Sequence, residues 1–274
     1  PHTQSYLTLA TLKAYEIITD SSKEMNPHLL IECYRSLAAD RDHITYDYGN
    51  KIDSFIGLSI EYIESKVSEI NPNQTTPFQS PEKLGGGTAY MAVKDEDGNA
   101  VSLIQSNFHG IGSTIGVSDF GFFLHNRGAG FNLIENHPNK ISPLRKPLHT
   151  LSPTIWSKDG KLDMVIGTRG GRYQPQLLSQ FILPLLLQSS SLDEAMNQSR
   201  WAIDYFDENS ESKLIYEPGV EEETIKDLKE KGHKIKIKDS LQSSFGPISA
   251  ICKDDNGSWS GVADPRVETS KVIY

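Results

Sequence analysis

The sequence contains few cysteines and no spacing typical of a metal site. Only two of its 274 residues are cysteine, and Cys33 and Cys252 lie in apolar stretches far apart in the chain. This usage does not support a disulfide framework, so we expect two buried thiols and favour a reducing, cytoplasmic compartment. The eight histidines form neither a His-Glu-x-x-His nor a Cys-x-x-Cys pattern. The sequence therefore predicts no metal and no cofactor.

Positive charge and long apolar runs are also scarce. The net charge of -9 argues against a nucleic-acid partner, because counterion release needs clustered Lys and Arg. The longest apolar run, Phe181 to Leu187, is broken by Pro184 and is far shorter than the ~20 residues of a membrane span. The chain begins at Pro1 without methionine, so we expect it to be the later part of a longer polypeptide, with any signal peptide out of view.

Hydrophobic periodicity predicts a helical first part followed by mixed strands and helices. The predicted helices cover residues 4–19, 26–43, 52–70, 174–188, 192–201 and 221–231. The predicted strands cover 88–94, 99–106, 121–124, 150–156 and 162–166, with turns at 95–98 and 158–160 and further strands at the C-terminus. This order favours sheets packed together beneath helical layers.

The most informative junction is a run of three glycines, Gly85 to Gly87, directly before Thr88. It follows Asn71 to Glu82, a segment rich in turn formers that we expect to be an exposed, mobile connection. Glycines reach the strained backbone conformations that a peptide bond adopts before a neighbouring hydroxyl attacks it. An ordinary turn before a hairpin is the alternative interpretation of these residues.

Cleavage at this junction would place a hydroxyl nucleophile and an α-amine on the same residue. An α-amine titrates near ~7.7, close to the ideal pKa of a general base at neutral pH. Thr88 would then combine nucleophile and base.

Five downstream motifs and one upstream segment resemble the γ-glutamyltransferase family of N-terminal nucleophile hydrolases. The downstream motifs are Asp97-Gly98-Asn99-Ala100-Val101-Ser102, Asn126-Arg127-Gly128-Ala129-Gly130-Phe131, Arg145-Lys146-Pro147-Leu148-His149-Thr150-Leu151-Ser152-Pro153, Gly167-Thr168-Arg169-Gly170-Gly171 and Asp264-Pro265-Arg266. The upstream segment, His28 to Arg41, resembles the helix before the processing site. The resemblance covers nearly the whole chain.

The resemblance implies an α/β fold, a four-layer αββα sandwich with two largely antiparallel sheets between helical layers. It also implies self-cleavage between Gly87 and Thr88. Residues 1–87 would end the large-subunit region, and residues 88–274 would form the small catalytic subunit, intertwined with its own large-subunit fragment as partner. The sequence leaves open whether the product forms a homodimer.

By the same resemblance, Gly170 and Gly171 form the oxyanion hole, since backbone N–H groups of glycines are unobstructed donors. A tight strand-to-helix turn is the alternative interpretation. Ser106 falls where the family places a hydroxyl that hydrogen-bonds the amine of the nucleophile. The competing interpretation is a small strand serine that faces solvent.

Five further residues are candidates for substrate binding: Arg127, His149, Thr150, Phe108 and Gly130. Arg127 lies in a glycine-flanked loop, where a guanidinium could bind a substrate carboxylate through two hydrogen bonds or make a surface salt bridge. His149 and Thr150 occupy positions where transpeptidases have a serine pair that contacts the glutamyl carboxylate. A structural histidine is the alternative role for His149.

The chain departs from glutathione-using members at four positions. Arg127 replaces a glutamine, Gly130 replaces the aspartate that binds the α-ammonium group, Phe108 replaces an asparagine, and Ala89 replaces the threonine after the nucleophile. The resemblance therefore favours an anionic amide over glutathione, and the small-molecule partner is expected to be an amide or a γ-glutamyl-like substrate. The pattern is similar to the branch that contains oxamate amidohydrolase and transferase-like proteins.

Two other functions remain open from the sequence. A non-catalytic member of the family would keep the fold and bind a small acid. A nucleotide-binding module would use the glycine-rich loops for phosphate, although a Gly-Lys-Ser/Thr motif is missing.

Overall fold

Helices form the first part of the chain. The computed structural model describes residues 2–49, 51–76, 87–205, 212–254 and 256–273. The first helices are α1 (Tyr6–Ile18), α2 (Pro27–Ala39), α3 (Arg41–Ile44) and α4 (Ile60–Ser68). The side chain of Asn26 caps α2 by accepting a hydrogen bond from the Leu29 N–H, and proline suits the first helical position. The helix predicted over 26–43 therefore exists but is interrupted at Asp40.

The helix predicted over 52–70 is shorter than expected. A 3₁₀ turn at Ile52–Ser54 comes first, and α4 begins only after Ser59, whose hydroxyl accepts a hydrogen bond from the Tyr62 N–H. The connection that follows is exposed over residues 71–74, as predicted, whereas Thr75 and Thr76 are half-buried. Residues 77–86, which include Gly85 and Gly86, lie outside the described part of the chain.

Two sheets pack face to face. The hairpin of β1 (Thr88–Lys94) and β2 (Ala100–Ser106) is antiparallel, as predicted, with Thr88 opposite Ser106. After the short pair β3 (Gly116–Val117) and β4 (Phe122–Phe123), a second sheet contains β5 (Thr154–Lys158), β6 (Lys161–Thr168), β10 (Ile248–Lys253) and β11 (Trp259–Val262) in the order β11-β10-β6-β5. All its neighbouring strands are antiparallel.

The hairpin lies on β5, β6 and β10. Tyr90 packs so closely on Gly167 of β6 that a Cβ at this glycine would overlap the tyrosine ring. The helix α5 (Gln174–Leu187) covers β6 from the other side, and α6 (Leu192–Asn197) contacts β11. The outward residues Met91, Val101 and Leu103 of the hairpin are 49–51% exposed. In the described residues, helices thus cover one side of the paired sheets.

A third sheet and a last helix complete the described chain. The sheet contains β7 (Trp201–Tyr205), β8 (Ser212–Tyr216) and β9 (Ile235–Ile237), and α7 (Glu222–Glu230) lies between β8 and β9. The prediction of a helix over 192–201 was wrong for its last residues. The helix α6 ends at Asn197, and the side chain of Gln180 binds both backbone polar groups of Trp201, which begins a strand.

The strand predicted over 150–156 begins four residues later than expected. Thr150 and Ser152 instead bind side chains through their backbone, Thr150 through its carbonyl to Gln4 and Ser152 through its N–H to Gln174. These side-chain partners take the place of strand hydrogen bonds.

The core joins the helices and the four-stranded sheet. Its fully buried side chains include Leu7, Leu37, Ile166, Leu177 and Phe181. Cys33 and Cys252 are both buried and free, which confirms the prediction of two buried thiols. Among the described residues, no helix combines the length and the apolar character needed to cross a bilayer.

Candidate active site

The junction before Thr88 requires a glycine. Gly87 has a φ of 127°, and a Cβ there would overlap the backbone carbonyl oxygen of Gly110. A larger residue would therefore meet both an unfavourable backbone conformation and a steric clash. Thr88 follows as the first residue of β1 and is half-buried on the same face as Tyr90, towards the second sheet.

Ser106 lies opposite Thr88 in the β1–β2 register. Its side chain is half-buried rather than fully exposed, and its hydroxyl oxygen accepts a hydrogen bond of 3.0 Å from the Phe108 N–H. Phe108 has a φ of 81°, a conformation that costs free energy for a residue with a Cβ and is found mostly where the surroundings enforce it. Asn126 helps to enforce it, because its side-chain oxygen accepts the N–H of His109.

Arg127 is a buried cation whose terminal nitrogens lack a hydrogen-bond partner in the described part of the chain. It begins the 3₁₀ turn Arg127–Gly130 and is 8% exposed. Its Cζ lies 4.4 Å from the centroid of the Phe108 ring, in a cation–π contact. Within the described residues, neither Nη1 nor Nη2 has a hydrogen-bond partner. Burial lowers the pKa of this guanidinium, although an arginine remains charged at neutral pH.

His149 lies close enough to Arg127 for the two charges to interact. Burial, together with the positive charges of His2 and Arg127, lowers the pKa of His149 to about 4. The imidazole is therefore neutral at pH 7, and its Nδ1 accepts a hydrogen bond from the Leu151 N–H at 3.3 Å. The rings of His149 and His2 meet edge to face at 4.8 Å.

Gly130 is packed against the segment before His149. A Cβ at this position would overlap the carbonyl oxygen of Leu148. An acidic side chain at position 130 would therefore require the backbone to move.

The Gly170–Gly171 turn follows β6 and precedes α5. Both glycines have positive φ values, 123° and 55°. The preceding Arg169 holds the turn by donating to the carbonyl oxygens of Gly246 at 2.7 Å and Ser243 at 3.2 Å. The turn thus has a fixed backbone conformation that residues with side chains adopt only with strain.

Gln4 is a residue that sequence reasoning missed. It is fully buried, and its Nε2 donates to the carbonyl oxygens of Thr150 at 3.0 Å and Gly171 at 2.8 Å. Its Oε1 accepts from Arg41 at 3.1 Å. One side chain therefore fixes the spacing between the Thr150 segment and the Gly171 turn. A glutamine at the start of a predicted helix carries no sequence signal for this role.

The structure connects the predicted site residues through a series of contacts. Thr88 pairs with Ser106, Ser106 binds Phe108, Phe108 stacks on Arg127, and Gln4 joins Thr150 to Gly171. Among the described residues, no hydrogen bond joins Thr88 to Gly170 or Gly171; the packing of Tyr90 on Gly167 brings their strands together.

This arrangement agrees with similarity to known proteins. The sequence model of the Gamma-glutamyltranspeptidase family matches residues 1–274. The chain belongs to this family. The resemblance predicted from its motifs is confirmed.

Two curated relatives of the family match the chain along its whole length. A glutathione hydrolase-like proenzyme of Bacillus subtilis, YwrD, is 32% identical over 286 residues, covering 99% of this chain and 52% of the relative. The oxamate amidohydrolase proenzyme of Klebsiella pneumoniae is 31% identical over 278 residues, covering 100% of this chain and 52% of the relative. The chain thus spans about half the length of these relatives.

A solved structure confirms the predicted fold class, an α/β sandwich of the N-terminal nucleophile hydrolase type. The cephalosporin acylase from Bacillus halodurans superposes with a TM-score of 0.80 at 27% sequence identity. The match covers 98% of this chain and 49% of that one.

Proposed function

We propose that the chain is the catalytic part of an amide hydrolase or acyltransferase that matures by cleavage between Gly87 and Thr88. Thr88 is then the nucleophile and its α-amine the base. Residues 1–87 and 88–274 remain associated as the two products. The half-buried position of Thr88 at the start of β1, directly after a glycine in a conformation closed to other residues, supports this proposal.

Self-cleavage begins at the Thr88 hydroxyl. Its oxygen attacks the carbonyl carbon of Gly87, the C–N bond to Thr88 breaks, and the nitrogen takes the hydroxyl proton to become the free α-amine. Water then adds to the resulting ester, which releases the Gly87 carboxylate and regenerates the hydroxyl.

Turnover uses the same residue on a substrate amide. The α-amine takes the Thr88 hydroxyl proton while the oxygen attacks the amide carbonyl, and the proton passes to the leaving amine. Backbone N–H groups of the Gly170–Gly171 turn stabilise the negative charge that develops on the carbonyl oxygen, and Ser106 orients the α-amine. Water, or an amine acceptor, releases the acyl group.

The observation that carries the substrate class is the buried guanidinium of Arg127, whose two terminal nitrogens have no partner among the described residues. Such a group favours an anion that supplies acceptors for its unused N–H donors. Phe108 stacks on the guanidinium, and the neutral His149 lies within electrostatic range of it. Gly130 supplies no carboxylate for a substrate ammonium group. We therefore propose an acyl group that carries a carboxylate and lacks an α-ammonium group, as oxamate does.

Intact-mass measurement of the full protein and of its Thr88→Ala variant tests this proposal. We expect two fragments that divide at Gly87/Thr88 in the parent and one uncut chain in the variant. The processed enzyme should hydrolyse oxamate-like anionic amides and act poorly on γ-glutamyl anilides. Robust transfer from a γ-glutamyl anilide to glycylglycine would contradict the substrate class. One uncut chain in both proteins would contradict the nucleophile and favour a non-catalytic protein that binds a small acid.

A further inference from the structure

A buried polar cluster fixes the described residues that lead towards the proposed cleavage site. Thr75 and Thr76 end the described part of the connection after α4, and Gly87 lies eleven residues beyond Thr76. The cluster contains Glu32 and Arg35 of α2, the two threonines, and the pair His28 and His233. We call these six residues the linker anchor.

Glu32 is the centre of the linker anchor. It is fully buried, and its carboxylate accepts hydrogen bonds from the Thr75 hydroxyl at 2.9 Å, from the Thr76 N–H at 2.9 Å and from the Thr76 hydroxyl. A charge inside a protein is stable only when such donors replace water. The carboxylate thus holds both threonines in one geometry.

Arg35 reinforces this geometry from the next turn of α2. Its Nη1 donates to the Thr75 hydroxyl at 2.6 Å and to the Thr76 carbonyl oxygen at 2.9 Å, and lies 3.6 Å from the Glu32 carboxylate. The Thr75 N–H donates to the carbonyl oxygen of Lys231, just after α7, at 2.8 Å. The two threonines are therefore bound from two helices at once.

The histidine pair extends the linker anchor to the beginning of the same connection. The Nε2 of His28 contacts the Asn71 carbonyl oxygen at 3.0 Å, which can only accept, so this nitrogen carries the proton. The Nδ1 of His28 then accepts from the Nε2 of His233 at 2.8 Å. Ligand atoms of His28, Glu32 and His233 lie within 4.8 Å of one another. The occupied His28 nitrogens and the adjacent Arg35 favour this hydrogen-bonded arrangement over a cation site.

We infer that the linker anchor is a positioning device for the cleavage at Gly87/Thr88, an inference that rests on the proposed function. It holds Thr75 and Thr76 in place eleven residues before Gly87, and Gly87 itself fits closely against Gly110. Restricting the chain at both of these points lowers the entropy cost of bringing the Gly87 carbonyl and the Thr88 hydroxyl into the attacking geometry. The residues of the linker anchor have no role in turnover of substrate.

A double variant, Thr75→Val with Thr76→Val, tests this role. It removes three hydroxyl hydrogen bonds of the linker anchor but keeps the side-chain volume and leaves Glu32 beside Arg35. The control is Thr8→Val with Thr11→Val, because both hydroxyls are buried and, in the described residues, have no hydrogen-bond partner. Cell-free synthesis of the full protein, followed by a chase, gives the rate constant of cleavage. The matured enzymes are then compared by kcat/KM and Tm.

We expect cleavage to slow about tenfold or more in the anchor variant, as the loss of more than one hydrogen bond predicts, with kcat/KM after maturation within about twofold of the parent. Parental cleavage rates in the anchor variant would overturn the inference. Equal losses in cleavage and in matured kcat/KM would also overturn it, because they indicate a merely structural role. If the anchor variant does not fold, Thr76→Val alone is judged by the same criteria. A parent protein that stays in one piece would instead contradict the proposed function and, with it, this inference.

Discussion

Arg127 is the residue that most sharply defines the proposed substrate. Most buried arginines have hydrogen-bonded partners, whereas Arg127 stacks on Phe108 and its terminal N–H donors find no acceptor among the residues that the structure describes. The cation–π contact holds the guanidinium plane without using its N–H groups. For the proposed function, the guanidinium is therefore already oriented for a planar anion in the unbound protein.

We predict that Arg127→Ala raises KM for an anionic amide by ~10- to 100-fold, the range expected for a lost charge-assisted hydrogen bond. The fall in kcat should be smaller, because in the proposed function Arg127 binds the substrate carboxylate rather than the amide that reacts. Steady-state kinetics on an oxamate-like amide measures both constants. The control is Arg145→Ala, since Arg145 is exposed and binds the Pro138 carbonyl oxygen. An unchanged KM in Arg127→Ala would remove this residue from the pocket.

At the scale of elements, the site depends on connections that no single strand or helix supplies. The Thr150 segment and the Gly171 turn belong to different loops, and Gln4, which lies before α1, joins their carbonyl groups. The turn also packs on residues 243–247, a loop before β10, through Arg169 and Thr168. The backbone donors of the turn are thus oriented by distant parts of the chain.

We predict that Gln4→Met lowers kcat by about fivefold and changes KM less than twofold. Methionine keeps the volume but cannot donate to Gly171, so the turn loses an orienting hydrogen bond of about 1 kcal/mol. Kinetics and Tm of the matured enzyme separate this effect from general destabilisation. The exposed Gln188 supplies the matched control, Gln188→Met. If Tm falls together with kcat, Gln4 has a purely structural role.

The sequence predicted elements best where a single pattern decides the structure. The β1–β2 hairpin was predicted correctly because alternating apolar residues flank a turn ending in Asp97-Gly98. The end of α6 could not be predicted, because the side chain of Gln180, distant in sequence, makes hydrogen bonds to the backbone N–H and carbonyl of Trp201. The role of Gln4 is hidden for the same reason. Only tertiary structure brings such partners together.

The site residues themselves were found through motifs rather than periodicity. Glycines and a lone arginine in loops have no hydrophobic pattern, and their resemblance to a family gave them candidate roles. Their contacts, such as that between Phe108 and Arg127, required the folded chain. The catalytic roles of Thr88, Ser106, Gly170 and Gly171 stay predictions.

For the whole molecule, the buried histidine pair links stability to pH. Burial, Arg35, His28 and Lys231 lower the pKa of His233 to about 3, against a smaller effect of Asp227. Burial and Lys231 also lower the pKa of His28, while the Asn71 carbonyl, Glu32 and Asp227 oppose this shift. In the unfolded chain both groups titrate near ~6.5. Below that pH the unfolded state binds protons that the folded state does not.

We therefore predict that the histidine pair leaves Tm nearly unchanged above pH ~6.5. As the pH decreases from there towards ~4.5, the pair should lower Tm. The variant His233→Gln keeps a donor for His28 but removes one titrating group, so its Tm should fall less steeply over the same range. Thermal unfolding of parent and variant at half-unit pH steps measures both slopes. Parallel curves would exclude His233 as a source of the pH dependence.

The pairing of β1 with β2 has an entropic consequence for the proposed cut. Seven cross-strand pairs, from Thr88 opposite Ser106 to Lys94 opposite Ala100, hold the strand that begins at the cut. A newly made chain end usually frays, because it gains conformational freedom at little cost in contacts. Here fraying would break strand hydrogen bonds and separate Tyr90 from Gly167. After the cut, the new amino terminus at Thr88 would therefore stay paired within the sheet, and cutting would add little conformational freedom to β1.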